Sequence, residues 1–280
     1  MTAKEKIKLR EGLESLYCRY NRREYVGTDP VLFLYDYQNI RDREIAGLIS
    51  SSLAFGNVKQ IISSVGTVLN ALGPSPHEVL LSDNPIDPGG RLDRFKHRWI
   101  DSRQIHRLLT SIRKAVRRYG SLENCFQSSM NGSAGDINSA LIGFVDEIDG
   151  GCLRKGFLPC PERGSPCKRL NLYLRWMIRN DDVDPGGWSC ASPSQLTVPL
   201  DTHMYRLARK LGLTERNQKD MKTALEITAS FREISPEDPV KYDFALTRLG
   251  IINDRQMREL EEKLEGMSCR YAGAKQPRTN

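Results

Sequence analysis

At 280 residues the chain is long enough for one large domain or two intimate ones around a sizeable core. Its 39% hydrophobic and 28% charged residues are ordinary for a folded soluble protein, and the lack of any apolar run of about 18 residues excludes a membrane span. A net charge of +7 favours polyanionic partners without requiring one.

The first residues, MTAKEKIKLREGLESLY, have no apolar core and no small-residue cleavage site, so a secretory signal is not expected and the expected compartment is the cytoplasm. Leu9, Leu13, Leu16, Tyr17 and Tyr20 then recur at helical spacing. An irregular stretch over 28–41 precedes a helix that opens near Asp42. That helix turns Ile45, Leu48, Ile49 and Leu53 inward and ends about Phe55-Gly56. Val58, Ile61, Ile62, Val65, Val68, Leu69 and Leu72 make the next helix, stopped by Gly73-Pro74.

Turn chemistry fills 82–90, and a strong helix follows over about 102–119. The polar side of that helix carries Arg103, Arg107, Lys114, Arg117 and Arg118. It reads as a solvated face or as a stripe for phosphates. Ile137, Ala140, Leu141, Phe144, Val145 and Ile148 predict a shorter helix ending at Asp149-Gly150-Gly151. Lys168 to Asn180 predict a basic, apolar helix, a long loop covers 181–198, and Asp201 opens another helix. Two more are expected, over 218–230 and after Ser235-Pro236-Glu237-Asp238, the latter read as a capping box with proline at the first helical position. Residues 273–280 read as a disordered tail, which leaves 1–272 as a single domain.

Strand alternation and internal repeats are lacking, and Asp-Pro-Gly-Gly at 87–90 and 184–187 reads as two turns. The expected fold is all-α, a compact multi-helix arrangement of two intimate lobes with a cleft between them. Seven cysteines (Cys18, Cys125, Cys152, Cys160, Cys167, Cys190, Cys269) include no Cys-x2-Cys. Cys152, Cys160, Cys167 and Cys190 are numerous enough for a four-thiolate site, but buried or idle thiols fit the spacing better. No metal and no cofactor is expected.

Two residues stand out for chemistry. Gly164-Ser165-Pro166 is turn chemistry, so Lys168 falls in the first turn of its helix, where the dipole disfavours a cation and promotes an amine nucleophile. A surface lysine beside Arg169, Arg175 and Arg179 is the plainer reading. Asp201, ahead of Met204, Leu207, Ala208 and Leu211, is well placed as a helix cap, and capping alone accounts for it. Trp188 in the long loop offers a flat surface for a base, or a pin holding the loop to the core.

Val-Pro-Leu-Asp-Thr-His at 198–203, followed by Met204-Tyr-Arg-Leu-Ala-Arg-Lys-Leu-Gly-Leu, resembles the Val-Asp-Thr-His helix of the helix-hairpin-helix DNA glycosylases, the superfamily of endonuclease III and the adenine and 8-oxoguanine glycosylases. The resemblance implies that Asp201 is the catalytic carboxylate and that Lys168, opening the helix after the hairpin, is the nucleophile of a bifunctional enzyme. Residues 45–58 (IAGLISSSLAFGNV) resemble the early helix and turn that wedge into DNA, which makes Leu53, Ala54, Phe55, Gly56 and Asn57 wedge candidates. Ser165, Arg169, Arg175, Arg179 and His203 join Leu53, Phe55 and Asn57 as expected DNA contacts, with Trp188 as the base-stacking candidate. The likeness runs over about 40–250. Taken whole, the chain looks like a bacterial branch of that superfamily defined as a domain of unknown function.

Two departures are plain. FLPCPERGSPCK at 157–168 stands where the Leu-Pro-Gly-Val-Gly-x-Lys hairpin would be, and no four-cysteine cluster motif follows Asp201. The separation of Lys168 from Asp201 is longer than in endonuclease III and is similar to that of the archaeal 8-oxoguanine glycosylases. The implied function is base excision with AP-lyase activity on an oxidised purine such as 8-oxoguanine, by a monomer acting on double-stranded DNA that carries a damaged base. Hydrolysis by water activated at Asp201, or DNA or RNA binding without catalysis, are the alternatives.

Overall fold

The computed structural model describes residues 2–83, 86–87, 89–133, 135–149, 157–159 and 161–251, and they form a helical fold. Helix α1 (Ala3–Tyr20) starts on a capping box of Thr2 and Glu5 and buries Leu9, Leu13, Leu16 and Tyr20. The irregular stretch expected next is more ordered than its composition suggests. One 3-10 helix, Arg23–Thr28, leads into it and a second, Pro30–Asp36, occupies much of it, the second capped by Asp29 with Pro30 at its first position.

Asn39 caps α2 (Ile40–Ser52), so the helix starts and stops slightly earlier than its apolar pattern implied. It is buried nearly all round, with Glu44, Ser50, Ser51 and Ser52 as inaccessible as Leu48. Such a helix belongs in the centre of a molecule. Asn57 caps α3 (Val58–Leu72), which ends at Gly73 with φ 71°. A short α4 (Pro76–Leu81) follows, its last turn held by Arg113, which donates to the carbonyls of Leu80 and Ser82, and by Arg117, which donates to that of Leu81.

Strands were not expected, yet β1 (Lys96–His97) and β2 (Ile100–Asp101) pair in a minimal antiparallel hairpin, too short to show alternation. Helix α5 (Ser102–Tyr119) matches its expected span and carries an Asp101/Gln104 capping box. On its basic side Arg103, Arg107 and Lys114 are exposed, while Arg118 pairs with Glu147 at 2.8 Å. The sequence reading passed over α6 (Leu122–Gly132), though Ser121 caps it and Leu122, Cys125, Phe126 and Met130 make its buried face. Helix α7 (Ile137–Asp149) packs against it.

The remaining helices are α8 (Lys168–Ile178), α9 (Thr202–Lys210), α10 (Met221–Ile234) and α11 (Asp243–Ile251). The capping box expected at 235–238 does not form. Pro239 biases Asp238 away from helical backbone, the segment runs as successive turns (Asp238 N–H to Ser235 O, Lys241 N–H to Asp238 O), and the helix starts only at Asp243. The Asp238 carboxylate instead takes Arg179 at 2.8 Å.

Helix α2 lies against α8, α4, α6 and the second 3-10 helix, while α11 packs on α1 and α9. One continuous apolar core runs through all of them. A buried carboxylate stitches its centre. Glu44 of α2 accepts from the Leu122 and Glu123 amides that open α6, at 2.9 and 3.0 Å, and from the Trp188 indole at 3.0 Å. Burial pushes its pKa up and those three donors pull it back, leaving it raised.

The loop over 181–198 is held down along its length. Asp181 Oδ1 accepts from the Val183 and Asp184 amides, and the Gly186 and Trp188 amides reach back to the Trp176 and Met177 carbonyls of α8. Asp184-Pro-Gly-Gly is a turn, as expected, with Gly186 and Gly187 at φ 62° and 128°, and Gly90 at φ 62° closes the other copy. A Cβ at Gly187 would overlap the Ile40 side chain. Gly187→Ala is therefore expected to cost about 1–3 kcal/mol through overpacking alone, with backbone strain added. A urea midpoint unchanged from wild type would refute that packing.

Candidate active site

The chain opens α8 with Lys168 and caps α9 with Asp201, and the fold brings the two together. Lys168 Nζ lies 2.9 Å from Asp201 Oδ2. The other oxygen, Oδ1, accepts the Met204 amide at 2.8 Å. Capping and ion pairing are thus not alternatives for Asp201, since each uses a different oxygen. The cap fixes the carboxylate, and the fixed carboxylate positions the amine. Both side chains keep about a third of their surface open, at 36% and 29%.

They share the wall of a cavity of about 320 Å³. That is at the small end of the range of roughly 300–1,000 Å³ typical of small-molecule sites. Ala54, Gly56 and Val58 from the turn between α2 and α3 form one side, with Leu172 and Arg175 of α8 behind Lys168. His203 lies in the first turn of α9, and its Nε2 is 3.3 Å from the Leu246 carbonyl. A carbonyl only accepts, so that nitrogen carries the proton.

The rest of the wall comes from segments that sequence reasoning did not single out. Thr28 and Asp29 come from the 3-10 region, and Asp243, Phe244, Thr247 and Arg248 from α11. Arg248 is sealed among them, donating to Thr28 Oγ1 and Asp29 Oδ2, both at 2.8 Å. Its guanidinium stands 4.6 Å from the Phe244 ring. These positions lie far apart in sequence, and only the packing of α11 across the 3-10 segment joins them.

Several expected contacts have other roles. Arg175 and Arg179 are 2% and 3% exposed, and their forks are filled by carboxylates rather than open to phosphates. Arg175 donates Nε and Nη2 to Asp184 Oδ1, at 3.2 and 3.1 Å, and Nη1 to Asp243. Arg179 takes Asp184, Asp181 at 2.8 Å and Asp238 at 2.8 Å. Burial alone would depress both guanidinium pKa values; the surrounding carboxylates reverse that and raise them. Burial pushes the Asp243 carboxyl up to about 6, against the pull of Arg175.

Leu53 is wholly buried and cannot wedge into anything. Trp188 is 5% exposed, bonded to Glu44 and stacked on Phe126 at 5.7 Å, so it pins the long loop to the core and offers no face to a base. Asn57 is exposed and caps α3 through the Lys59 amide at 3.0 Å. Ser165 Oγ accepts the Cys167 amide at 3.3 Å. Arg169 donates to the Ser52 carbonyl at 2.6 Å and lies 4.9 Å from the Phe55 ring, bracing the end of α2 against α8. Burial lowers its pKa to about 10, which leaves it charged near neutrality. Of the wedge segment, Ala54 and Gly56 reach the cavity and Phe55 lies half-buried beside it.

Where the hairpin pattern is missing, Phe157 and Leu158 are buried and Pro161–Arg163 make one 3-10 turn. Gly164 turns at φ 74°, its carbonyl accepts the Met221 amide that opens α10, and Cys167 at φ 48° leads into Lys168. Among the described residues Cys18, Cys125 and Cys190 are free thiols, and burial pushes those of Cys125 and Cys190 up to about 12. Cys152, Cys160, Cys269 and the tail at 273–280 lie outside the described residues. Asp87, Asp93 and His106 come within 4.8 Å of one another, but none lines the cavity.

Fold and site define an all-α protein whose cavity holds a capped aspartate paired with a lysine. The chain belongs to the family described as Protein of unknown function (DUF2400), whose model matches residues 29–252. No curated protein and no solved structure matches it. Among the described residues no helix is long and apolar enough to cross a membrane.

Proposed function

We propose that the chain is a DNA glycosylase with AP-lyase activity, of the helix-hairpin-helix superfamily, in which Lys168 is the nucleophile and Asp201 its carboxylate partner. The observation that carries this reading is the 2.9 Å contact between two helix-start residues at the wall of one cavity. The Lys168 ammonium passes a proton to Asp201, and the neutral amine attacks C1′ of an extruded nucleotide. The glycosidic bond breaks, its electron pair leaves with the base, and the proton held at Asp201 returns to that base. The substituted amine now on C1′ loses a proton, and its lone pair breaks the C1′–O4′ bond, with O4′ taking a proton; the iminium so formed acidifies C2′, loss of that proton expels the 3′ phosphate, and water then releases the lysine. Once it has given up its proton to the base, the ionised Asp201 stabilises the positive charge of the iminium. An oxidised purine such as 8-oxoguanine is the proposed target base, in keeping with the long interval between lysine and aspartate.

A panel of duplexes carrying 8-oxoguanine, uracil, thymine glycol or an abasic site tests this. Strand cleavage together with a borohydride-trapped adduct on the 8-oxoguanine and abasic duplexes is expected. Base release without any adduct would shift the chemistry to water activated at Asp201. Binding alone would leave only a DNA-binding scaffold.

The ion pair also sets a pH dependence. Burial would raise the Asp201 pKa, but the Lys168 ammonium and the Met204 amide outweigh it, and the value is lowered from 3.8. The folded state thus favours the carboxylate, a contribution that is complete above the unfolded value and lost as pH falls through the folded one. The melting-temperature gap between wild type and Asp201→Asn should hold steady down to the ordinary aspartate range and close only below it. A gap that closes between pH 7 and 5 would contradict the pairing.

A further inference from the structure

Trp99 is 56% exposed, in a chain whose other two tryptophans, Trp176 and Trp188, are 0% and 5% exposed. It stands at the tip of the β1–β2 hairpin and stacks on Phe55 at 4.6 Å and 26°. Phe55 is held edge-on by His97 at 4.7 Å. His97 is in turn fixed to the Ser64 hydroxyl at 2.9 Å and the Phe55 carbonyl at 3.1 Å. The indole is therefore mounted on a rigid base, with Phe55 covering one part and more than half of it open to solvent.

Its surroundings are cationic. Lys96 and Arg98 are exposed on the same hairpin, and Arg98 lies 5.3 Å from the indole ring. Asp101, the nearby carboxylate on the hairpin, is engaged as the cap of α5. Arg98 adopts φ 54°, a costly backbone region for a residue with a side chain. That turn lays its side chain against Gly56. Gly56 belongs at once to this surface and to the wall of the Lys168–Asp201 cavity. An exposed, braced aromatic with cations beside it is the arrangement on which unpaired bases stack while their phosphates are neutralised.

We propose that Trp99, backed by Phe55 and accompanied on its hairpin by Lys96 and Arg98, is a stacking platform for an unpaired DNA base beside the cavity. It makes the protein prefer DNA with a disrupted pair over intact duplex. This rests on the reading of the cavity as a DNA-acting site, but it is tested by binding rather than by catalysis. Stacking brings the base against the exposed indole and quenches it; the two buried tryptophans do not respond.

The full chain is titrated with a duplex carrying a single-base bulge and with its fully paired counterpart, following tryptophan emission and affinity. The bulged duplex should quench emission and bind more tightly. Trp99→Ala should weaken that binding by about 5- to 150-fold, the equivalent of one base stacked on an aromatic side chain, and Trp99→Phe should retain most of it. Equal affinity of Trp99→Ala and wild type for the bulged duplex would overturn the platform, as would equal binding of bulged and paired DNA. Tighter binding of the corresponding RNA would overturn the assignment to DNA, and emission quenched instead by raising protein concentration without DNA would point to a second copy as the occupant. The two proposals can fail separately. Lys168 adduct formation with affinity independent of Trp99 sinks the platform alone, whereas Trp99-dependent binding with no adduct sinks the lysine chemistry alone.

Discussion

Lys168→Gln is expected to abolish the reducible covalent adduct, and Asp201→Asn to slow its formation by about 10²–10⁴-fold, the usual worth of a positioned proton-transfer group. The two substitutions separate roles that the ion pair joins. Glutamine has no amine to add to C1′, so the loss is complete rather than graded. Asparagine keeps an oxygen that can accept the Met204 amide and remains a good cap, so α9 should form normally. What it loses is the charge that deprotonates Lys168 across 2.9 Å. Asp201→Ala is the less informative change, because it removes the cap as well, at about 1 kcal/mol. If Asp201→Asn forms adduct at the wild-type rate with an unchanged melting temperature, Asp201 is only a cap.

The second large effect concerns folding. Arg175→Ala is expected to destabilise the protein by about 3–5 kcal/mol, because it strands carboxylates in the interior. Asp243 would lose its guanidinium partner, and Asp184 would retain only Arg179. All three groups of the Arg175 cluster are essentially inaccessible to water, so no solvent can replace the missing cation. A comparable change at exposed Arg107 should stay within about 0.5 kcal/mol. Urea unfolding of the two variants side by side measures the difference, and equal midpoints would show that the cluster does not hold α8, α11 and the 181–198 loop together.

The same pair of arginines shows where the sequence was legible and where it was not. Helical spacing placed α3 and α5 correctly, and Asp201 as a cap, since periodicity and capping are local physics. Burial is not local. Arg175 and Arg179 follow Lys168 on a basic-looking helix, and nothing in that run shows that four aspartates, two of them beyond position 200, fold over them. Asp184 and Asp181 looked like turn residues and Asp238 like part of a cap. Their charges became meaningful only once the loop wrapped back on α8. The sequence left Trp188 between base platform and loop pin for the same reason, because its partner Glu44 lies 144 positions earlier.

The candidate site divides the same way. Its two chemical residues could be picked out because each opens a helix, and their convergence was a testable expectation that the fold meets. Its α11 wall could not, because Phe244, Thr247 and Arg248 form an ordinary helical stretch until the 3-10 segment at 28–30 packs across them. Nothing in the sequence singled out Trp99, because a two-residue strand pair is too short to leave a period.

The most direct measurement is peptide mapping of the protein after borohydride reduction on a duplex containing an abasic site. If Lys168 is the nucleophile, the reduced sugar adduct is found on Lys168 and that residue resists tryptic cleavage. An adduct on another amine, or none with Lys168 unmodified, would contradict it.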